Sequence, residues 1–246
     1  MTGRVGVVLA AGLGTRLRPL TDLRPKALCP VNDVPLVDLA LARVRPWVDE
    51  VAVNVHSGRA AMEAHLSGRG VHLSVEDRLL GTAGALGNLR EWIAGRSVLV
   101  SNADAWHRFD LGVLVEGWDG KRPRLLVVRD EARGDFGPRR YVGSALLPWA
   151  DVAALEPVPS GLYERCWRGR DVDLCPVEGE FFDCGTPADY LAANLAANGG
   201  RSVIGRGARV EGEVVRSVVW PGAVVPAHER LVDAIRADGL TVHAGA

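Results

Sequence analysis

The sequence predicts an α/β protein: a mostly parallel sheet flanked by helices, followed by a short β-helix-like tail. Three observations carry this reading. Short β-branched runs alternate with segments of helical periodicity over the first half of the chain. The opening run VGVVL is apolar at every position, as a strand buried on both faces of a parallel sheet must be. After Gly199-Gly200 the pattern changes, and an aliphatic residue, a glycine and a small residue recur every five or six positions.

Taken in order, strands are expected at Val5–Leu9, Val51–Val55, Val71–Val75, Val98–Ser101 and Arg124–Val128. Helices are expected between them at Pro35–Trp47, Arg59–Leu66, Ala83–Ile93 and Leu111–Trp118. Parallel neighbours need such crossovers, and ligands of these sheets bind beyond the carboxyl ends of the strands. The residues after Leu9, Val75 and Ser101 are therefore the ones to inspect. Gly134, Gly137 and Pro138 then mark a turn, and Tyr141–Leu147 reads as an added strand. Helical segments are expected near Trp149–Leu155 and Gly161–Trp167. Val172–Cys175 and Glu180–Asp183 are expected to pair as a hairpin that turns between Pro176 and Gly179. Thr186-Pro187 opens a helix to about Ala197, because Thr caps well and proline suits the first helical position. In the tail, Ile204-Gly205, Gly207-Ala208 and Gly222-Ala223 carry the repeat. It has room for about two β-helical coils, with a plain hairpin as the alternative.

Composition narrows the function. The 246 residues suit one large domain, with or without a small appendage, and 48% apolar content suffices for its core. A formal net charge of −1 provides no broad basic field for nucleic acid or an anionic membrane. No apolar run reaches the roughly 18 residues of a membrane span. The N-terminus has the outline of a signal peptide, but its apolar run flows into Gly and Arg, and a buried first strand is expected instead. Cys29, Cys166, Cys175 and Cys184 form no C-x-x-C pair and have no histidine nearby to complete a zinc set. Reduced thiols and a cytoplasmic location are the simplest account. The six histidines are scattered, and no metal role is expected of them.

Positive charge is instead concentrated locally. The stretch VVLAAGLGTRLRPLTDLRPKAL places Arg16, Arg18, Arg24 and Lys26 on a glycine-bearing loop after the first strand. Glycines let backbone N–H groups converge on an anion, so a small anionic ligand is indicated. The loop lacks the G-x-x-x-x-G-K-[ST] of a Walker A motif. It also fails the G-x-G-x-x-G dinucleotide fingerprint, because Leu17 stands where the third glycine should be. The second strand moreover ends in Asn54 and His56 rather than an acidic residue.

LAAGLGTRLRPLTDLRPKAL resembles the signature of the sugar-1-phosphate nucleotidyltransferases, G-x-G-T-R-L-x-P-L-T followed by P-K. Gly12, Gly14, Thr15, Arg16, Leu17, Pro19, Leu20, Thr21, Pro25 and Lys26 all match it. LLGTAGAL (Leu79–Leu86) is similar to the family's base-facing loop, especially in its mannose-1-phosphate guanylyltransferase branch. VSNADAW (Val100–Trp106) and FFDCGTPADY (Phe181–Tyr190) resemble the two segments that supply magnesium aspartates. β-helical tails occur in many members, so the resemblance covers almost the whole chain. It implies a Rossmann-like nucleotidyltransferase fold, with residues 1–199 as catalytic domain and 200–246 as a hexapeptide-repeat-like cap or homo-oligomer contact.

The implied reaction is attack of a sugar-1-phosphate oxygen on the α-phosphorus of a nucleoside triphosphate, with pyrophosphate leaving. A phosphate monoester has its second pKa near about 6, so the nucleophile needs no general base. Positioning and charge neutralisation carry such chemistry. By the resemblance, Leu9, Ala10, Ala11, Gly12, Gly14 and Thr15 cradle the triphosphate, and Gly81, Thr82, Ala83 and Gly84 line the base pocket. Arg16 holds the departing phosphates, Lys26 lies between the α-phosphate and the sugar phosphate, and Asp104 and Asp183 bind Mg²⁺. Asn102 orients a ribose or sugar, and Arg140, Gly143 and Ser144 face the acceptor. Arg18 and Arg24 are either ligand contacts or solvated charges, with Asp22 as a partner. Trp106 is expected in the core. GTP with a mannose- or heptose-type 1-phosphate is the favoured pair, with UTP next. The chain departs from many members in lacking a Glu-Lys pair in RDEARGDFGPRRYVGSALLP, where Arg139 or Arg140 can stand in by charge, and in Phe181, which replaces a tryptophan. Two alternatives stay open: a non-sugar acceptor such as phosphocholine, and a regulatory subunit that binds nucleotide-sugar without turnover. The presence of Arg16, Lys26, Asp104 and Asp183 together favours turnover.

Overall fold

VGVVL forms the centre of the molecule. It lies in strand β1 (Arg4–Leu9), and its side chains divide between two cores, Val5 and Val7 on one face and Val8 on the other. The structure is a computed structural model that describes residues 3–244; the outermost residues of the two expected units, 1–2 and 245–246, lie outside the described residues. Helix α1 (Leu36–Val44) crosses directly over β1. At Gly6 a Cβ would come within 2.4 Å of Val44 Cγ1, so glycine permits the close approach.

The next units follow the same strand–helix rhythm: β2 (Glu50–Val55), α2 (Arg59–Leu66), β3 (His72–Val75), α3 (Gly81–Asn88) and β4 (Ser97–Asn102). After them come β5 (Ala105–His107), β6 (Arg124–Arg129), β7 (Arg139–Leu147), β8 (Asp173–Pro176) and β9 (Phe181–Asp183), then α4 (Pro187–Ala197). The main sheet has the order β8-β6-β7-β4-β1-β2-β3. All its pairings are parallel except those of β7, which runs against both β4 and β6. The expected mostly parallel α/β sheet is therefore present. Its crossovers diverge between β1 and β4, and that switch point is where such sheets leave a crevice.

Several local expectations need correction. The predicted hairpin of Val172–Cys175 with Glu180–Asp183 does not form. β8 adds parallel to β6 at the sheet edge, while β9 pairs antiparallel with β5. The helix predicted over Pro35–Trp47 ends at Val44 and tightens into a 3₁₀ turn containing Pro46. Ala83–Ile93 starts earlier, at Gly81, and breaks at Leu89 into a second short helix, Arg90–Ile93. Leu111–Trp118 reduces to one turn, Gly112–Val115. At α4, Thr186 accepts a hydrogen bond from the Asp189 N–H with Pro187 in the first turn, as the capping pattern requires.

The tail is built from parallel ladders, as a β-helix is and a plain hairpin is not. One wall stacks Val203 on Val218 and Val218 on Ile235. The other two pair Arg209 with Val224 and Glu213 with Arg230, and Leu240–His243 closes the end antiparallel. Its buried Val218, Trp220 and Ile235 share one continuous core with Leu17, Leu20, Cys29, Leu36 and Tyr190. The apolar interior thus crosses Gly199-Gly200 without a break. Among the described residues no helix is long and apolar enough to cross a membrane.

Candidate active site

A cavity of about 320 Å³ opens at the switch point. It is lined by Leu9 from the end of β1, Asn54 from β2, Glu76 after β3 and Asn102 and Asp104 at the end of β4. Ala11, Gly12, Leu79, Gly81 and Thr82 complete the wall. Gly12, Thr15 and Arg16 are exposed, and a Cβ at Gly12 would meet nothing within 4 Å, so the loop stands open toward the cavity mouth. Gly14 shapes the turn beneath: its φ is 64°, and a Cβ there would sit 2.8 Å from Thr21 Cγ2 and 3.1 Å from Lys26 Cβ. Thr21 Oγ1 donates to the Gly14 carbonyl at 2.9 Å and ties the loop to the helical turn that follows.

The predicted charged residues converge. Lys26 Nζ lies 2.7 Å from Asp104 Oδ2 and 3.9 Å from Asp183 Oδ1, and Arg16 Nη2 lies 3.8 Å from Asp183 Oδ2. One ladder holds both carboxylates: Asp183 is in register with Ala105, and the Cys184 N–H donates to the Asp104 carbonyl at 3.0 Å. From below, Arg43 Nη2 donates to the Ala105 carbonyl at 2.9 Å. Lys26 is only 10% exposed and Arg16 is 69% exposed, which separates their behaviour. A buried ammonium between two carboxylates stays put, whereas a solvated guanidinium at 3.8 Å gains little from its partner and can follow a ligand. Asp104 and Asp183 both approach Lys26 Nζ and are the residues that could hold Mg²⁺, since magnesium takes one or two carboxylates together with phosphate oxygens and water. No cluster of three or more metal-ligating side chains occurs among the described residues.

A second cavity of about 260 Å³ shares Asn102 and Asp104 with the first; Asp183 lines the second alone, and Lys26 lines neither and reaches their shared wall through its bond to Asp104. Arg16, Asp135, Arg140, Tyr141, Gly143, Phe181 and Asp183 also line it. Arg140 lies 4.8 Å over the Phe181 ring and 3.4 Å from Asp130, so an aromatic face and a carboxylate hold its guanidinium. Gly143 has φ 86°, and a Cβ would crowd Ala105 and Asn102 at 3.0 and 3.1 Å.

Not every predicted residue lies in a cavity. Gly84 is buried with its back to a neighbouring segment, where a Cβ would come 2.3 Å from the Val158 carbonyl oxygen; it serves packing of α3. Ala83 is likewise core. Ser144 is fully buried within β7, opposite Ser101 of β4, with its Oγ 3.4 Å from Ser101 Oγ. Ala10 contributes its backbone, its N–H donating to Asn54 Oδ1 at 2.7 Å. Arg18 pairs with Asp22 at 3.2 Å, and Arg24 lies over Trp220, so both point away from the cavities. Trp106 is core, 5.8 Å from Phe182.

Sequence reasoning missed Asn54, Glu76 and Asp135. Asn54 Nδ2 donates to Glu76 Oε1 at 2.7 Å, and the Leu80 N–H donates to Glu76 Oε2 at 3.0 Å. This buried network fixes the inner wall of the first cavity. Its signal was positional, since both residues stand at carboxyl ends of strands. Asp135 accepts from the Tyr141 N–H at 2.8 Å within the GDFG turn. The cysteines beside the site are free thiols; burial pushes Cys29 up to about 12 and Cys184 higher still, which keeps them protonated and poor nucleophiles.

Known proteins share parts of this sequence and its fold. A sequence model of the family described as nucleotidyl transferase matches residues 5–137. The N-acetylmuramate alpha-1-phosphate uridylyltransferase of Caulobacter vibrioides is 36% identical over 173 residues, covering 63% of this chain and 72% of that protein. The mannose-1-phosphate guanylyltransferase of Mycobacterium tuberculosis is 26% identical over 97% of this chain and 81% of its own length. Among solved structures, the mannose-1-phosphate geranyltransferase of Thermus thermophilus superposes with a TM-score of 0.73 at 17% identity, over 98% of this chain and 95% of that one. At that identity the likeness shows the fold, tail included.

Proposed function

This chain belongs to the nucleotidyl transferase family, and on that footing we propose that it transfers a nucleoside monophosphate from a nucleoside triphosphate to a sugar 1-phosphate, with Mg²⁺ as cofactor. The carrying observation is that Lys26 pairs with Asp104, which walls both cavities, and reaches Asp183, which walls the second. A sugar-phosphate oxygen forms the new bond to the α-phosphorus, the bond to the β-phosphate bridging oxygen breaks, and pyrophosphate leaves with the electron pair. Nothing in this step needs a general base.

In this reading the first cavity takes the nucleotide and the second takes the acceptor. Gly12 and its neighbours offer backbone N–H groups to the triphosphate, and exposed Arg16 follows the departing phosphates with its planar fork. Lys26 stands where both phosphates meet and offsets their repulsion. Asp104 and Asp183 would hold Mg²⁺, which supplies neutralisation of phosphate charge when bound. Arg140, held by Phe181 and Asp130, grips the acceptor phosphate in place of the absent lysine. GTP with a mannose- or heptose-type 1-phosphate is the first pairing to test, and UTP with an amino-sugar 1-phosphate the second. The GTAGAL segment and the guanylyltransferase relative support the former, and the uridylyltransferase relative supports the latter.

The test is pyrophosphate release with Mg²⁺ across four nucleoside triphosphates and a panel of hexose, heptose and amino-sugar 1-phosphates, with choline phosphate included. Release that depends on one base, one acceptor, Lys26 and Asp104 is the expected result. Release with choline phosphate alone replaces the acceptor class. Tight nucleotide-sugar binding without release from any pair overturns the enzymatic reading.

A further inference from the structure

Lys26 depends on an unusual stretch of backbone. The helical turn Leu20–Leu23 ends at Arg24, whose φ and ψ are −158° and 155°, and Pro25 follows at −54° and 142° before the 3₁₀ turn Lys26–Leu28 begins. Two extended residues therefore join two short turns. The Pro25 carbonyl accepts the Leu28 N–H at 2.8 Å and so belongs to the turn that carries Lys26, which leaves the placing of that turn as a unit to the side-chain contacts of Arg24 and Pro25. Two such contacts grip the joint. Pro25 packs onto the β2–α2 turn, where a Cβ on Gly58 would lie 2.0 Å from Pro25 Cγ. Arg24 lays its guanidinium over the Trp220 ring, 4.3 Å from the centroid.

Trp220 belongs to the β-helical tail and is fully buried. Its own position is tightly held. Nε1 donates to the Tyr190 hydroxyl at 3.0 Å, that hydroxyl donates to the Pro30 carbonyl, and the Trp220 N–H donates to the Arg236 carbonyl at 2.8 Å. Further bonds fasten the same region to the tail and α4: the Asn32 N–H donates to Asn194 Oδ1 at 2.9 Å, and the Arg206 N–H donates to Asp33 Oδ1 at 3.1 Å. Leu17 and Leu20, beside Arg16, are buried in the core that Trp220 shares. The segment that carries both cations thus rests on the tail through Leu17, Leu20 and Arg24, and on the main-sheet core through Pro25 and Ala27.

We propose that Trp220 is a positioning residue of the transfer site: through its stack with Arg24 it aims Lys26 at the wall the two cavities share. The inference rests on the proposed transfer activity and assigns the tail a part in it. Small displacements of a charge aimed at a transition state weaken turnover more than ground-state binding.

The experiment compares Trp220→Leu, Trp220→Phe and Arg24→Met with the wild type, in kcat, KM and backbone hydrogen exchange. Trp220→Leu removes the ring face, whereas Trp220→Phe keeps a ring and loses the Nε1 donor. Trp220→Leu and Arg24→Met are each expected to lower kcat about tenfold with KM for both substrates within about twofold. Trp220→Phe is expected to retain most of kcat. The Arg24→Met/Trp220→Leu double variant is expected to be no worse than either single one, because both break the same link. Exchange over residues 14–28 should quicken in Trp220→Leu while β1 and β4 stay protected. Wild-type kcat and exchange in a folded Trp220→Leu, or losses that multiply in the double variant, overturn the proposal. Should Trp220→Leu fail to fold, Arg24→Met decides alone, and unchanged kcat and exchange in it overturn the proposal equally. A wild type that releases no pyrophosphate refutes the transfer function, and the exchange comparison still decides whether Trp220 holds the loop.

Discussion

Lys26 and Arg16 carry the same formal charge in different physical situations. Lys26 is pinned between two carboxylates, and Arg16 is largely solvated. Replacing Lys26 by Met leaves Asp104 without its cation and Asp183 with only the solvated Arg16. It is expected to lower kcat for pyrophosphate release by about 10²–10³, as steady-state kinetics would show. Arg140→Ala, in contrast, should raise KM for the acceptor by about tenfold with KM for the nucleotide unchanged, since Arg140 and the Phe181 ring beneath it line the second cavity and not the first. Glycines differ in the same residue-specific way. Gly12→Ala adds a methyl to open space, so urea unfolding should place its stability within about 0.5 kcal/mol of wild type, while nucleotide KM rises. Gly84→Ala drives a methyl against the Val158 carbonyl and should cost about 1–3 kcal/mol. Equal stability of the two variants would contradict this placement.

At the scale of elements, the β5–β9 ladder gathers the site's carboxylates, and its inner end is protected by His107. This side chain is 4% exposed, stacks on Phe109 and accepts the Phe109 N–H on Nδ1 at 3.2 Å. Burial, and secondarily the Arg43 guanidinium, push its pKa down from 6.5 to about 3. The sign of the consequence follows from proton counting. Between those two values the unfolded chain binds a proton that the native ladder refuses, so stability rises with pH through that window and is lost on acidification. The slope approaches about 1.4 kcal/mol per pH unit for one group. Urea unfolding of wild type and His107→Phe across about pH 4–7 should show a shallower slope in the variant. Identical slopes would exclude His107 as the source.

At the scale of the whole molecule, the core that joins Leu17, Tyr190 and Trp220 runs through both the α/β part and the tail. Two units that share an apolar interior unfold together. Calorimetry is expected to show one transition with equal van't Hoff and calorimetric enthalpies, and two resolved transitions would separate residues 1–199 from the tail. A chain ended at residue 199 would leave Leu17, Leu20 and Tyr190 without their cover and is expected to lose solubility along with order in the Lys26 loop. The main sheet contributes differently: its switch point between β1 and β4 creates the first cavity, and the ladder beside it creates the second.

The sequence by itself determined what is local. The β-branched runs announced the strands of the sheet, Thr186-Pro187 announced α4, and one contiguous signature announced the glycine loop with Arg16 and Lys26, because each depends on neighbours a few residues away. Tertiary structure decided what depends on partners. β8 and β9 are as close in the chain as the strands of a hairpin, yet the free edges of β6 and β5 each claim one of them. Asn54 and Glu76 look like ordinary polar residues until three strand ends bring them to one wall. Gly81 and Gly84 share a motif, and the segment packed behind α3 separates the one that lines the cavity from the one that cannot. Arg24 reads as one more surface cation until the tail places Trp220 beneath it. Local pattern sets what an element is; which surfaces meet is settled by burial of apolar area across the whole chain, and that competition leaves no mark in any single stretch of residues.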